Sequence, residues 1–306
     1  MIDSTPQRGL PRPPAAASGP SKRVVRRRWQ AVALSLTLLG TAAGVSHAST
    51  GPRHLPERAT AFTTAAAAVQ SPVPQDVVRR YNLDTRWYTK YVAGPTDPQT
   101  GLPLPVLGSS KIQDATLLKA ARQLDTLTRT YPYYPIGELN RRKVRVVLTA
   151  RSEKMSSIPE VRARYGTSLD ERYWAGMGAT DSLPLSVGTE ANLVDNQGGE
   201  NCYAHEFGHS VADMALTHID PDFQRQLDAA LGNARSKGLW RNTYAQTNYH
   251  EYWAEGLQSY FDINRAGPAG GDGVHNDIDT RSELQRYDPQ LFTLLDRVYR
   301  GARLPS

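Results

Sequence analysis

The chain of 306 residues contains one cysteine, Cys202. An internal disulfide is therefore impossible, a disulfide-scaffold fold is excluded, and the folded state must rely on its core, a metal, or both. Long apolar runs are also scarce. Residues 31–45 form a run of 15, short of the roughly 20 that cross a bilayer, so a polytopic membrane protein is excluded. There is no collagen-like period and no internal repeat. A general excess of positive charge is missing as well. The formal charge of +6 reflects 36 Lys+Arg against 30 Asp+Glu, yet residues 1–48 hold seven of those bases and a single acid, Asp3. The rest of the chain carries 29 of each sign with no basic stripe, which excludes the electrostatic footprint of a nucleic-acid binder.

The local charge has a simple reading. A basic segment (Arg8, Arg12, Lys22, Arg23, Arg26, Arg27, Arg28), the apolar run and the small-residue ending Ser46-His47-Ala48 are the three parts of a secretory signal peptide. Cleavage is expected after Ala48, giving an exported protein with no stable membrane association; an uncleaved anchor is the alternative. Arg26-Arg27-Arg28-Trp29 leaves the twin-arginine route open beside general export. Residues 49–75, rich in Ala, Thr and Pro, are expected to form a flexible linker or propeptide-like segment. Residues 76–306 are expected to form one folded domain.

In that domain Ile112, Ala115, Leu118, Ala121, Leu124 and Leu127 recur at helical spacing and predict a helix over 111–129. Val144, Val146 and Leu148 alternate with Lys143, Arg145 and Val147, which predicts a half-buried strand. Residues 183–187 and 192–194 read as further short strands, the first placed to pair with an extended peptide, although Pro184 limits its donors. Asp220-Pro221 and Asp288-Pro289 each set an N-cap before a proline at the first helical position. The expected fold is α+β, mainly helical, with a small sheet in its first half.

The chemistry sits in His205-Glu206-Phe207-Gly208-His209, an HExxH motif. Four helical steps turn the chain by about 400°, so the two imidazoles stand one above the other about 6 Å apart along the axis. One zinc ion can take both, and Glu206, one step round the helix, can reach a metal-bound water without being a ligand. Ala204, Val211, Ala212, Met214 and Ala215 suit the rest of this helix to burial. A zinc site needs a third protein ligand. A metzincin extension would demand glycine and histidine where Ala212 and Ala215 stand, so that class is excluded. His218 lies beyond the expected helix end and reads as solvated. The remaining candidate is 248–261, where Trp253, Leu257 and Tyr260 form an apolar stripe while Glu251 and Glu255 stack four apart on an adjacent face. Two carboxylates on a partly buried helix repel unless a cation lies between or beside them. One as ligand and one behind a zinc-bound histidine removes that conflict.

Taken together, HExxH and Glu251-Tyr252-Trp253-Ala254-Glu255, beginning 42 residues after the motif, resemble the gluzincin metallopeptidases. The likeness is nearest to the catalytic-domain family of anthrax lethal factor, whose second motif reads Glu-Phe-Phe-Ala-Glu and follows a tyrosine seven residues before the ligand glutamate. Tyr244 stands seven before Glu251. The segment from Thr189 to Leu193 and the tail from Thr280 to Pro289 are similar to a group of exported proteins sharing the same two motifs. The resemblance covers 190–261 and implies a zincin-like metallopeptidase domain with the HExxH helix at its active site. It further implies His205, His209 and Glu251 as zinc ligands, Glu206 as general base, Tyr244 as oxyanion donor, and Glu255 orienting a ligand imidazole. Two departures are Tyr252-Trp253 for Phe-Phe, and His250, which adjoins the expected ligand and competes with it.

The function implied is an exported zinc-dependent endopeptidase acting on a protein or peptide substrate. The alternatives are a zinc hydrolase for another amide, such as a cell-wall peptide, and a non-catalytic zinc-containing binding protein. Cys202, three residues before His205, reads as a small buried helix residue, with an auxiliary ligand role as the alternative. The glycine-rich loop 267–279 has three aspartates but lacks EF-hand spacing, so it reads as a solvated loop rather than a calcium site.

Overall fold

The computed structural model describes residues 68–166 and 175–305. The expected signal peptide 1–48 and residues 49–67 of the expected linker lie outside the described residues. The last linker residues pack on the sheet: Gln70 bridges Tyr91 and Val73 is buried.

The fold is α+β. In chain order the elements are α1 (Gln75–Tyr81), β1 (Lys90–Thr96), β2 (Pro103–Gly108), α2 (Asp114–Thr128), α3 (Ile136–Arg141), β3 (Arg145–Thr149), α4 (Pro159–Tyr165), β4 (Leu185–Thr189) and α5 (Glu190–Asp195). There follow α6 (Cys202–Val211), a π-helical turn (Ala212–Leu216), α7 (Thr217–Ile219), α8 (Phe223–Ser236), α9 (Tyr249–Tyr260), α10 (Arg281–Tyr287) and α11 (Pro289–Tyr299). The sheet order is β1-β2-β3-β4, with β1–β2 antiparallel and the other two pairings parallel. No helix among the described residues is long and apolar enough to cross a membrane.

Two hydrophobic clusters cover the two faces of the sheet. On one, Val106, Val146 and Leu148 pack with Leu117, Leu124, Phe207 and Trp253 of the helical half. On the other, Leu107, Val147, Leu185 and Val187 pack with Val77, Tyr81 and Val161 from α1 and α4. This corrects the half-buried reading of β3. All five of its residues are buried, as parallel strands covered on both faces are. Arg145 is tolerated there because its guanidinium meets Glu160 Oε1 at 2.8 Å.

Three further expectations change. Residues 192–194 are helical, not a strand, because Thr189 Oγ1 accepts the Asn192 amide at 3.2 Å and starts α5. Asp220 does not cap α8 directly; its Oδ1 accepts the Asp222 amide in a turn, and α8 begins at Phe223. The 183–187 strand is not an open edge at Val187, whose N–H and C=O both pair with Met177, at 2.8 and 3.1 Å.

The Asp288-Pro289 signal does hold, with Asp288 accepting the Leu291 amide at 3.2 Å. Asp288 does more than cap. It is fully buried, and its Oδ2 also accepts Trp240 Nε1 at 2.9 Å and Tyr252 OH at 2.6 Å. One carboxylate thereby ties the loop after α8, helix α9 and helix α11. Removing it strands two buried donors and a cap, at roughly 1–3 kcal/mol per stranded donor. Asp288→Ala is expected to lower unfolding free energy by about 3–5 kcal/mol in urea titration; a loss below about 1 kcal/mol would contradict this tie.

Candidate metal centre

Helix α6 is buried along its whole length, from Cys202 to Val211. Its start is fixed by Asn201, whose Oδ1 accepts the Ala204 amide at 2.9 Å. Helix α9 begins in the same way, Asn248 Oδ1 accepting the Glu251 amide at 3.0 Å. Trp253 Nε1 donates to the Gly208 carbonyl at 3.2 Å and locks the two helices side by side. This pairing brings Glu251 onto the imidazoles of α6.

The three groups meet at nearly equal distances. His209 Nε2 lies 3.1 Å from His205 Nε2, while Glu251 Oε2 lies 3.2 Å from His205 Nε2 and 3.4 Å from His209 Nε2. Ligands about 2.0–2.1 Å from a tetrahedral zinc ion stand roughly 3.3–3.4 Å apart. The donor triangle therefore has the size of one face of a zinc coordination shell. The second Glu251 oxygen, Oε1, is buried without a hydrogen-bond partner among the described residues. Borderline nitrogen and oxygen donors are also what zinc accepts, so the residues present fit the ion.

The electrostatics point the same way. Burial alone would push both imidazoles toward neutrality, but Glu251 and Glu206 outweigh it, raising His205 to about 10 and His209 upward as well. Burial alone would lift the Glu251 carboxyl, and the two imidazoles instead hold it well below the usual range. The site is thus a buried pocket that favours positive charge. Glu206 is shifted upward, chiefly by burial, with the imidazoles opposing. Burial raises the Cys202 thiol far above its ordinary value and Glu200, Glu206 and Glu255 reinforce this, so it is a neutral thiol on the cavity wall.

A cavity of about 40 Å³ opens here, bounded by His205, Glu206, Tyr244, Cys202, Glu200, Glu255, Val274 and the backbone at Ala175 and Gly176. That volume admits more than one water molecule. The 175–180 segment runs against α6 because its glycines permit it. A Cβ on Gly176 would stand 2.4 Å from Glu206 Cγ, and one on Gly178 would stand 2.8 Å from His209 Cβ. Tyr244 lines the same cavity, its phenol pushed up by burial and by the charges of Glu251 and Glu206. His250 does not join the donor triangle. Its Nδ1 pairs with Asp213 Oδ2 at 2.8 Å, beside His209, where the π turn carries Asp213. His218 is exposed.

Glu255 is close to His205 but is not its hydrogen-bond partner. Glu255 Oε1 lies 3.8 Å from His205 Nδ1, whereas Gln258 Oε1 accepts from that nitrogen at 2.7 Å. Gln258 in turn donates to Glu200 Oε2 at 2.9 Å. Proton placement on Nδ1 leaves His205 Nε2 free to act as a ligand. Sequence reasoning missed Gln258, although it stands seven residues after Glu251, two helical turns along the same face. Glu200 and His275, which face each other at 3.3 Å behind Gln258, were missed too. Neither sits in a periodic segment.

No protein-family model matches the chain, and no curated protein does. Among solved structures, the Pro-Pro endopeptidase from Paenibacillus alvei aligns over 62% of this chain and 92% of its own, at 16% identity and a TM-score of 0.32. A likeness of that size establishes neither family nor activity.

Outer hydrogen bonds to a ligand imidazole are typically worth a factor of about 10–100 in metal affinity. Gln258→Leu is expected to weaken zinc binding by about that factor in competition with a chromophoric chelator. An unchanged affinity would show that Gln258 does not set the His205 imidazole.

Proposed function

We propose that this chain is an exported zinc-dependent endopeptidase of the gluzincin type, with a zincin-like domain over 76–306 and a leader over 1–48. The observation that carries the reading is the donor triangle of His205, His209 and Glu251, with sides of 3.1–3.4 Å, with Glu206 on the same helix lining the cavity that His205 also lines. Zinc held by those three residues would lower the pKa of a bound water to about 7 and polarise a substrate carbonyl.

The protein's own groups then divide the work. Glu206 takes a proton from the attacking water and delivers it to the leaving nitrogen as the C–N bond breaks, so one water is consumed and a carboxylic acid and an amine result. Burial makes it a stronger base than a surface carboxylate. Tyr244 donates a hydrogen bond to the oxygen of the scissile carbonyl as negative charge gathers there. Its raised pKa keeps the hydroxyl protonated across the working range, as a donor must be. Gln258 holds the His205 ring in the ligating tautomer. Glu255, raised to about 7 by burial against the pull of His205 and His275, lies behind the ring at 3.8 Å from His205 Nδ1. A purely structural metal site would have no use for a base and a phenol lining a cavity beside it, and that supports catalysis over a binding role.

Cleavage of a peptide library and of cell-wall peptide by the purified protein separates the peptidase from another amide hydrolase. Glu206→Gln is expected to keep the wild-type zinc content and lose about 10²–10⁴ in rate. Glu251→Ala is expected to lose one zinc per chain together with activity. Equal rates in Glu206→Gln and wild type would overturn the mechanism. Chelation of the wild-type protein is expected to lower the Tm, since metal binding to the folded state stabilises it, and zinc should restore it; an unchanged Tm would contradict a built site.

A further inference from the structure

Behind the catalytic triangle lies a second cluster that the proposed reaction does not use. Glu200, Glu255 and His275 are 5%, 3% and 3% exposed. They come from three places in the fold: the turn before α6, the middle of α9, and the glycine-rich loop. One ligand atom from each lies within 4.8 Å of the others. His275 Nε2 is 3.3 Å from Glu200 Oε2, yet it makes no hydrogen bond among the described residues. Ring nitrogen and carboxylate are thus near enough to be partners but out of line for one. A separation of about 3.3 Å is also that of two ligands on one ion.

Charge and access add to this. Among the described residues neither Glu200 nor Glu255 forms an ion pair with a lysine or arginine, and the cations facing them are imidazoles. Two carboxylates buried this deeply need compensating charge. Gln258 and Asn264 each give them one amide hydrogen bond, at 2.9 and 3.3 Å, which supplies no charge. Both carboxylates line the same cavity as His205 and Glu206.

We propose that Glu200, Glu255 and His275 form a second metal site, for a divalent transition ion such as zinc. One imidazole with two carboxylates is a mixed nitrogen and oxygen set, which suits zinc, manganese or iron(II) better than calcium with its all-oxygen shell. The loop's aspartates play another part. Asp272 Oδ1 accepts the amides of Val274 and His275, at 3.0 and 2.9 Å, and so fixes the turn that carries His275 inward. The second ion would pin that loop, with Val274 on the cavity wall, to the two helices that hold the first. Gln258 links the sites, bonded to His205 on one side and Glu200 on the other.

Metal counting on the full chain tests this without any activity assay. The protein is loaded with zinc, passed over a chelating resin to strip loosely held ion, and its zinc measured by mass spectrometry. Wild type should retain two per chain, and His275→Ala and Glu255→Gln one each. Glu255→Gln is isosteric and guards against a loss that merely reflects misfolding of His275→Ala. Glu251→Ala should also retain one, and the double variant with His275→Ala none. One zinc per wild-type chain, or two in both His275→Ala and Glu255→Gln, would overturn the second site. Loss on changing His275 but none on changing Glu251 would uphold it while refuting the catalytic triangle.

Discussion

The fold turns on one electrostatic arrangement: the Glu251 carboxylate, 1% exposed, set between the imidazoles of His205 and His209. Ionisable groups so deeply placed are costly unless each is matched. The two helices that carry them are buried along their length, α9 from Glu251 to Tyr260 and α6 throughout. Much of the remaining structure holds that match in register. Asn201 and Asn248 set where the helices begin, Trp253 bonds across to Gly208, and Asp288 gathers α9, α11 and Trp240 around the far side. The sheet gives α6 a wall through β4, and the 175–180 segment lies close over Glu206 and His209 because glycines stand at 176 and 178.

The chemistry is layered outward from that arrangement. Imidazoles and carboxylate form the innermost triangle. Gln258 grips the outer nitrogen of His205, and Glu200, Glu255 and His275 lie behind it. On the other side of the triangle, His250 is held by Asp213 beside His209. The pocket is strongly acidic, with Glu200, Glu206, Glu251 and Glu255 all buried. Such a pocket attracts cations, and it keeps Cys202 and Tyr244 in its wall protonated.

How much of this could be read beforehand depends on how local the cause is. His205, Glu206 and His209 were legible because helical spacing alone puts them together, and Glu251 with Glu255 because two acids among aromatics need a reason. The helix expected over 111–129, observed as Asp114–Thr128, and the Asp288 cap are equally local. Strand β3 was misread because its second buried face belongs to α1 and α4, which alternation along one strand cannot reveal. Residues 192–194 went to a helix through a threonine cap three residues earlier. Val187 was paired from Met177, a contact made between separate segments. Gln258 stood on a periodic face and was readable in principle. His275 stood in a glycine-rich loop, where only the tertiary fold could show that it turns inward.

The most direct test is anomalous diffraction at the zinc edge from crystals of the protein. The expected result is a peak within bonding distance of His205 Nε2, His209 Nε2 and Glu251 Oε2, about 2.0–2.2 Å from each. Zinc-loaded crystals with no peak there, and those three side chains bonded only to one another, would contradict the account.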